Sequence, residues 1–464
     1  MKIHFLVDMD ENTGNYCPHL GVGYLSAYLK SVRPEVSTTL SNLTDDVATD
    51  VARIEPDILA VSATSRYFVH LKDKITELKK TVEIPVIWGG VHLTISPLEF
   101  PLCADVGVLG EGEETFAELL THLQGTKFVD LDSVNGTVFR NSNGTLVVTD
   151  KRSFIEHLDR IPFPDLDLLN VRWNRNRRGV VITSRGCPHK CRFCASSIFW
   201  DRTRLHSAEY VIAEILEIVH RYGVREILIY DDFFTIDRNR VARIVELKKR
   251  YPELKRMRFE CLSRIDNFDD TLAGYLKEMG VYKVFFGIES GCQKTLNYLK
   301  NQKLSLEQVE RAIGIARSHG IQCLGSFIIG SPFETEEEIE ETFRFIERIR
   351  FDFLQIGVAT PFPGTELWND VHKTGQIVGS EWSDRYYTLF AVDPQFNVAE
   401  AFQDKILVTG IERDRFLRLV EKAVRIQCYT NFGFIYWFKY YVGSALIKCG
   451  LGFLLKIYRR LLDK

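Results

Sequence analysis

The chain has 464 residues, of which 45% are hydrophobic and 26% charged, with a formal net charge of -3 at pH 7. That length exceeds what one hydrophobic core usually serves, so two or three domains are expected, and the near-neutral charge gives no polycation for nucleic acid. Ten cysteines, scattered at Cys17, Cys103, Cys261, Cys292, Cys323, Cys428 and Cys449 apart from a trio at 187, 191 and 194, make no disulfide framework. The opening Met1-Lys-Ile-His-Phe-Leu-Val-Asp8 reads as a strand and not as a signal peptide, so a reducing cytoplasm is expected.

In chain order, a strand at 2–7 is followed by a helix at 21–30, a strand at 57–62 and a helix at 67–80. Strands at 84–88 and 105–109 and a helix at 113–123 complete the first third. Alternation of this kind predicts a doubly wound parallel sheet with ligands at the carboxyl ends of its strands. Small and polar residues gather there: Ser62 to Ser65, Gly89-Gly90-Val-His92, and Gly110-Glu-Gly-Glu113. No Gly-x-Gly-x-x-Gly opens a helix after the first strand, so the dinucleotide fingerprint is missing. With Pro18-His-Leu-Gly21, Gly89-Gly90-x-His92 and Gly110-Glu-Gly-Glu-Glu-Thr115, residues 1–125 resemble the cobalamin-binding domain that precedes radical S-adenosylmethionine (SAM) domains. The resemblance implies corrin contacts from Ser62, Thr64, Gly89, Gly90, His92, Gly110 and Glu111. The Asp-x-His-x-x-Gly signature is absent, so no protein histidine is expected below the cobalt. A fold that has shed its cofactor is the alternative.

Residues 126–177 read as a linker. Asn135-Gly136 and Asn141-Ser-Asn-Gly144 flank short strands of a hairpin, and Leu158 to Asp165 is a proline-stiffened crossing. The buried-strand run 179–183 then leads into Ser184-Arg-Gly-Cys-Pro-His-Lys-Cys-Arg-Phe-Cys194. Thiolates are soft ligands for iron–sulfur clusters or zinc. A zinc site completed by His189 or a distant residue is the duller reading, but such sites usually carry a second Cys-x2-Cys, and this sequence has none. The Cys-x3-Cys-x2-Cys spacing resembles the radical SAM superfamily. That resemblance implies a 4Fe-4S cluster on Cys187, Cys191 and Cys194, a fourth iron open to SAM, and Phe193 against the adenine.

Beyond the cysteines, further strands are predicted at 226–230, 257–262, 283–288, 321–329 and 353–358, with helices such as 208–222 and 306–319 between them. With 179–183 these make six units, the partial (β/α)6 barrel expected for residues 178–369. The resemblance assigns SAM contacts to the strand ends: Asp231 and Asp232 to the ammonium, Ser263 and Arg264 to the carboxylate, Glu289 to the ribose. Gly330, closing Gly325-Ser-Phe-Ile-Ile-Gly330, is assigned close backbone approach to the adenine. Residues 370–464 lose the strand pattern and read as helical, with aromatic runs at 432–442 and 451–455 too short for a bilayer span. They either cover the barrel mouth or rest on a membrane surface.

The fold class is therefore α/β, a doubly wound sheet, a partial barrel and a helical tail. The resemblance implies a cobalamin-dependent radical SAM enzyme that cleaves SAM reductively to a 5′-deoxyadenosyl radical and methylates an unactivated carbon of a small or lipophilic substrate. It also implies an electron donor such as flavodoxin or ferredoxin, and no catalytic side chain beyond the cluster ligands. The same domain order admits an oxidative ring cyclase of the magnesium-protoporphyrin monomethyl ester type. A corrin or redox sensor without catalysis is a third reading.

Overall fold

The computed structural model describes residues 1–7, 18–169, 178–301, 304–374, 383 and 398–448. Two sheets dominate it. The first has seven strands: β1 (Lys2–Val7), β2 (Ser37–Asn42), β3 (Ile58–Ser62), β4 (Val86–Gly89), β5 (Val106–Val108), β6 (Thr137–Arg140) and β7 (Leu146–Val148). Their spatial order is β2-β1-β3-β4-β5-β6-β7. The first five run parallel and are crossed over by helices. Ile3, Phe5, Leu6, Ile58, Leu59 and Val86 are almost wholly buried, as near-continuous apolar strands covered on both faces must be.

The hairpin expected within the linker belongs instead to this sheet. β6 pairs antiparallel with β5, placing Val106 opposite Phe139 and Val108 opposite Thr137. Without it, the three-residue β5 would leave an open edge, which proteins commonly cover.

The second sheet has six parallel strands in sequential order: β8 (Arg178–Val181), β9 (Glu226–Ile229), β10 (Arg258–Ser263), β11 (Val281–Glu289), β12 (Gln322–Ile329) and β13 (Phe353–Val358). The intervening helices start at well-formed caps: Ser207, Asp237, Asp269, Ser305 and Thr335 each accept from a backbone N–H of the first turn. The last two form full capping boxes with Gln308 and Glu338.

β13 is the exposed edge of this barrel, and the tail closes it. The helix Arg413–Lys448, broken at Gly433, lays two amide side chains along the strand. Ile356 N–H donates to Gln427 Oε1 at 2.6 Å, Leu354 N–H donates to Asn431 Oδ1 at 2.7 Å, and Asn431 Nδ2 donates to the Leu354 carbonyl at 2.9 Å. Residues 413–431 thus act as barrel cover. The 451–455 run lies outside the described residues, as do the side chains of 434–448. Among the described residues no helix is long and apolar enough to cross a membrane.

The two sheets share a core. Leu20 and Tyr24, on the helix Leu20–Val32, pack in the barrel's hydrophobic cluster. Tyr24 Oη donates to Glu214 Oε1 at 3.0 Å, from the first sheet's layer to the helix Ala208–Tyr222. Burial pushes the Glu214 carboxyl up to about 8, so it stays protonated in the native protein at pH 7. The unfolded chain releases that proton near pH 4.5; between there and pH 8 the native state binds the extra proton and stability falls as pH rises. Glu214→Gln, which keeps the acceptor for Tyr24, is expected to flatten that slope and to gain roughly 3–5 kcal/mol at pH 8. Denaturation curves at pH 5, 6.5 and 8 check this, and parallel pH slopes for the two proteins would refute it.

Candidate functional site

The cysteine loop is pinched at its base. Ser184-Arg185 pairs antiparallel with Arg204-Leu205, and Gly186, at φ 92°, lies where a Cβ would sit 2.8 Å from the Arg202 carbonyl and 2.9 Å from Trp200 Cβ. Only glycine fits that corner. Further along, Arg192 N–H donates to the Leu299 carbonyl at 2.9 Å and the Arg192 carbonyl accepts from Leu367 N–H at 3.0 Å. Phe193 packs against the small cluster of Ala359, Leu367 and Trp368.

Cys187, Cys191 and Cys194 are free and partly exposed. Burial pushes the Cys187 thiol up and the Cys194 thiol up to about 12, so as bare groups these two stay protonated, and a metal would hold them as thiolates. Among the described residues no three His, Cys, Asp or Glu side chains converge on a single-ion position.

The polar residues expected at the strand ends divide into two groups. Asp232 lines the cleft beside the loop; its carboxyl, raised by burial, accepts from Ser196 Oγ at 2.5 Å. Asp231 does not belong with it. Successive side chains point to opposite faces, and Asp231 turns inward to accept from Thr183 N–H and Oγ1, both at 2.5 Å, and Ser184 N–H at 3.1 Å. It ties β9 to the root of the cysteine loop and is fully buried. Ser263 is likewise internal, 2.7 Å from Thr235 Oγ1. Arg264 has its fork already engaged: Nε and Nη2 donate to the two oxygens of Asp266 at 3.0 and 2.9 Å. A bidentate grip on a carboxylate ligand is therefore not available to it as it stands. Its Nη1 faces Cys191 Sγ at 3.9 Å.

Glu289 has φ 78° at a register shift in β11, a conformation costly for a residue with a Cβ and commonest where function demands it. Lys300, which sequence reasoning missed, fixes its Oε1 at 2.8 Å, both side chains being buried. Gly330 needs correction. A Cβ there would lie 2.4 Å from the Phe416 ring, and one at Gly325 would lie 2.9 Å from Phe351. The room these glycines leave is filled by the protein's own aromatics, and the backbone N–H groups of Gly330 and Ser331 bond Glu334.

Between the carboxyl ends of the first sheet and the cysteine loop lies a cleft of about 390 Å³, within the roughly 300–1,000 Å³ of ordinary small-molecule pockets. Ser62, Thr64, Gly89, Gly90, Gly110 and Glu111 all line it, facing Phe199, Trp200 and Tyr230 from the barrel side. Gly90, at φ 102°, stands where a Cβ would meet the Ala63 carbonyl at 2.5 Å. His92 is not on this wall. It is wholly buried behind the glycines, 3.0 Å from Ser65 Oγ and with its ring 3.9 Å from that of Phe68, so its role is packing.

Four charges meet at the cleft, three of which, Glu111, Glu113 and Arg185, line it. Arg185 donates to Glu111 Oε1 at 2.5 Å and to Glu113 Oε1 at 2.7 Å, and Arg204 grips Glu111 at 2.8 and 3.0 Å. Burial raises the Glu111 carboxyl, but the two guanidiniums outweigh it and hold it below the ordinary carboxylate range. Glu113, Arg185 and Arg204 went unassigned from sequence, because only the fold brings residues 111–113 against 185 and 204.

Residues 181–346 match the radical SAM superfamily and residues 7–120 the B12 binding domain. The chain is also 33% identical over 407 residues to an uncharacterized methyltransferase of Pyrococcus horikoshii, spanning 85% of this chain and 86% of that protein. The chain belongs to the radical SAM superfamily, in its B12-binding branch. It is 28% identical to an anaerobic magnesium-protoporphyrin IX monomethyl ester cyclase of Rubrivivax gelatinosus, over 80% of this chain and 69% of that one. It shares its fold with the radical SAM methyltransferase TsrM of Kitasatospora setae, at a TM-score of 0.68 and 18% identity over 82% and 77% of the two chains.

As a radical SAM enzyme with a B12-binding domain it uses a 4Fe-4S cluster, SAM and cobalamin, and requires a reductant. The loop of three partly exposed cysteines and the cleft lined by Gly89, Gly90 and Gly110 fit those groups. Removing one partner of a buried charge pair leaves an uncompensated charge. Arg185→Met takes the guanidinium from Glu113 and leaves Glu111 to Arg204 alone, and is expected to destabilise the protein by about 3–5 kcal/mol, read by chemical denaturation of the purified protein.

Proposed function

We propose that the enzyme transfers a methyl group to an unactivated carbon of a small, largely apolar substrate. The observation that carries this reading is one continuous cleft whose walls come from both cofactor regions, the first sheet's strand ends and the root of the cysteine loop. When bound, the cluster and SAM supply a 5′-deoxyadenosyl radical and the corrin supplies the methyl group.

In this reading Cys187, Cys191 and Cys194 hold the cluster. Asp232 takes the SAM ammonium, Phe193 supports the adenine, and Glu289, fixed by Lys300, faces the ribose hydroxyls. Ser62, Thr64, Gly89, Gly90, Gly110 and Glu111 cradle the corrin. The aromatic wall of Phe199, Trp200 and Tyr230 excludes water and favours an apolar substrate; Tyr230 is 51% exposed although it is a large aromatic, as a residue awaiting a partner would be. Methyltransferase names among the relatives, the Pyrococcus protein and the cytidylyl-2-hydroxyethylphosphonate methyltransferase of Streptomyces wedmorensis, favour this reaction. The cyclase relatives support oxidative ring closure as the second reading. A flavodoxin or ferredoxin in a reducing cytoplasm suits an oxygen-labile cluster.

Anaerobically reconstituted, reduced protein given SAM, cobalamin and cell extract tests the reaction. Comparable amounts of 5′-deoxyadenosine and S-adenosylhomocysteine are expected, and a Cys187→Ala, Cys191→Ala, Cys194→Ala variant is expected to form neither. Deoxyadenosine alone would shift the assignment to cyclisation or another radical oxidation. Peripheral membrane contact through the tail would go with a lipophilic substrate; vesicle co-sedimentation unchanged by deleting residues 430–464 removes that idea.

A further inference from the structure

Arg264 is placed where a ligand-binding arginine is expected, yet its geometry suits another task. Its guanidinium is buried, with the side chain 10% exposed. Two of its donors are locked onto Asp266, which sits two residues on in the turn Ile265–Asn267. The third donor, Nη1, points at Cys191 Sγ. The bidentate pair fixes the plane of the fork, so the remaining N–H is aimed by Asp266 and not by solvent.

We propose that Arg264 is a positioning residue that sets the reduction potential of the cluster through Cys191, with Asp266 limiting how much positive charge the cluster feels. This rests on the cluster assignment made above. When the cluster is reduced, one electron enters from the donor; no bond forms or breaks, and the site gains one negative charge. A cationic donor beside a ligand sulfur stabilises that more negative state, so it raises the potential. The Asp266 carboxylate opposes it. Other charges face the same region: His189 and Lys300 act on Asp266, Lys300 is paired with Glu289, and Asp232 lies beside Cys187 and Cys194.

The two residues of the pair should therefore act in opposite directions. The test is a potentiometric titration, read by electron paramagnetic resonance, of the anaerobically reconstituted full-length protein without SAM, with iron and sulfide per chain measured for each variant. Arg264→Gln is expected to lower the potential and Asp266→Asn to raise it. Each should change the reduced-to-oxidised ratio at fixed potential by about tenfold, which is about 59 mV for one electron. A merely structural role for the pair would give shifts of the same sign or none, and either result overturns the proposal. Should Arg264→Gln take up no iron, Asp266→Asn alone decides: a raised potential supports the proposal and an unchanged one overturns it. A wild-type protein that binds no iron–sulfur cluster would count against the cluster assignment itself.

Discussion

The buried quartet of Glu111, Glu113, Arg185 and Arg204 is the constraint on which the rest of this protein's architecture depends. It joins the loop after β5 in the first sheet to both strands at the base of the cysteine loop. Buried ion pairs contribute little net stability, since desolvation offsets attraction, but they tolerate almost no misplacement. Two carboxylates and two guanidiniums, each with specified partners, leave one register between the sheets. Glu111, Glu113 and Arg185 of this quartet also line the cleft, where its two walls meet. The same contact fixes Arg185, and through Gly186 the backbone that leads to Cys187.

Much of this was legible in the sequence, for physical reasons that differ by element. Strands β1, β3 and β8 to β13 announce themselves because a parallel strand covered on both faces must be apolar throughout. The cysteine loop is legible because three thiols at that spacing have few chemical uses. β2 was passed over: Ser37-Thr-Thr-Leu-Ser-Asn42 is an edge strand with one large apolar residue, and its pairing with β1 is a tertiary fact. The hairpin of β6 and β7 was recognised by its turns, but turn chemistry says nothing about which sheet a hairpin joins.

At the site, the sequence points to polar residues and glycines at strand ends, and the structure engages several of them with the protein's own side chains. Of two adjacent aspartates after β9, strand alternation sends one into the cleft and the other into the protein. Arg264 carries the expected charge, but Asp266 engages its fork. Gly325 and Gly330 do mark close approach, and the approaching groups are Phe351 and Phe416. Histidine 92 shows the same error in the first sheet, where a polar residue beside a glycine pair proved to be a packed ring. A polar or glycine position at a strand end reports that something comes near; only the three-dimensional arrangement says whether it is a ligand or another side chain.

Among the described residues no strand lies on the far side of β13, and the amide side chains of Gln427 and Asn431 stand in for one. An open sheet edge is a template for pairing with other chains, and here the cap is supplied by residues more than 70 positions away in sequence, as the separations of 71 and 77 show. The barrel of this enzyme is consequently not a portable unit. A fragment ending after the last strand would carry every cluster ligand yet emerge from the ribosome with a bare, apolar edge, and would be prone to associate through it before the cap is made. The backbone groups of Leu354 and Ile356 thus find their partners only in a segment that the chain makes after the whole barrel.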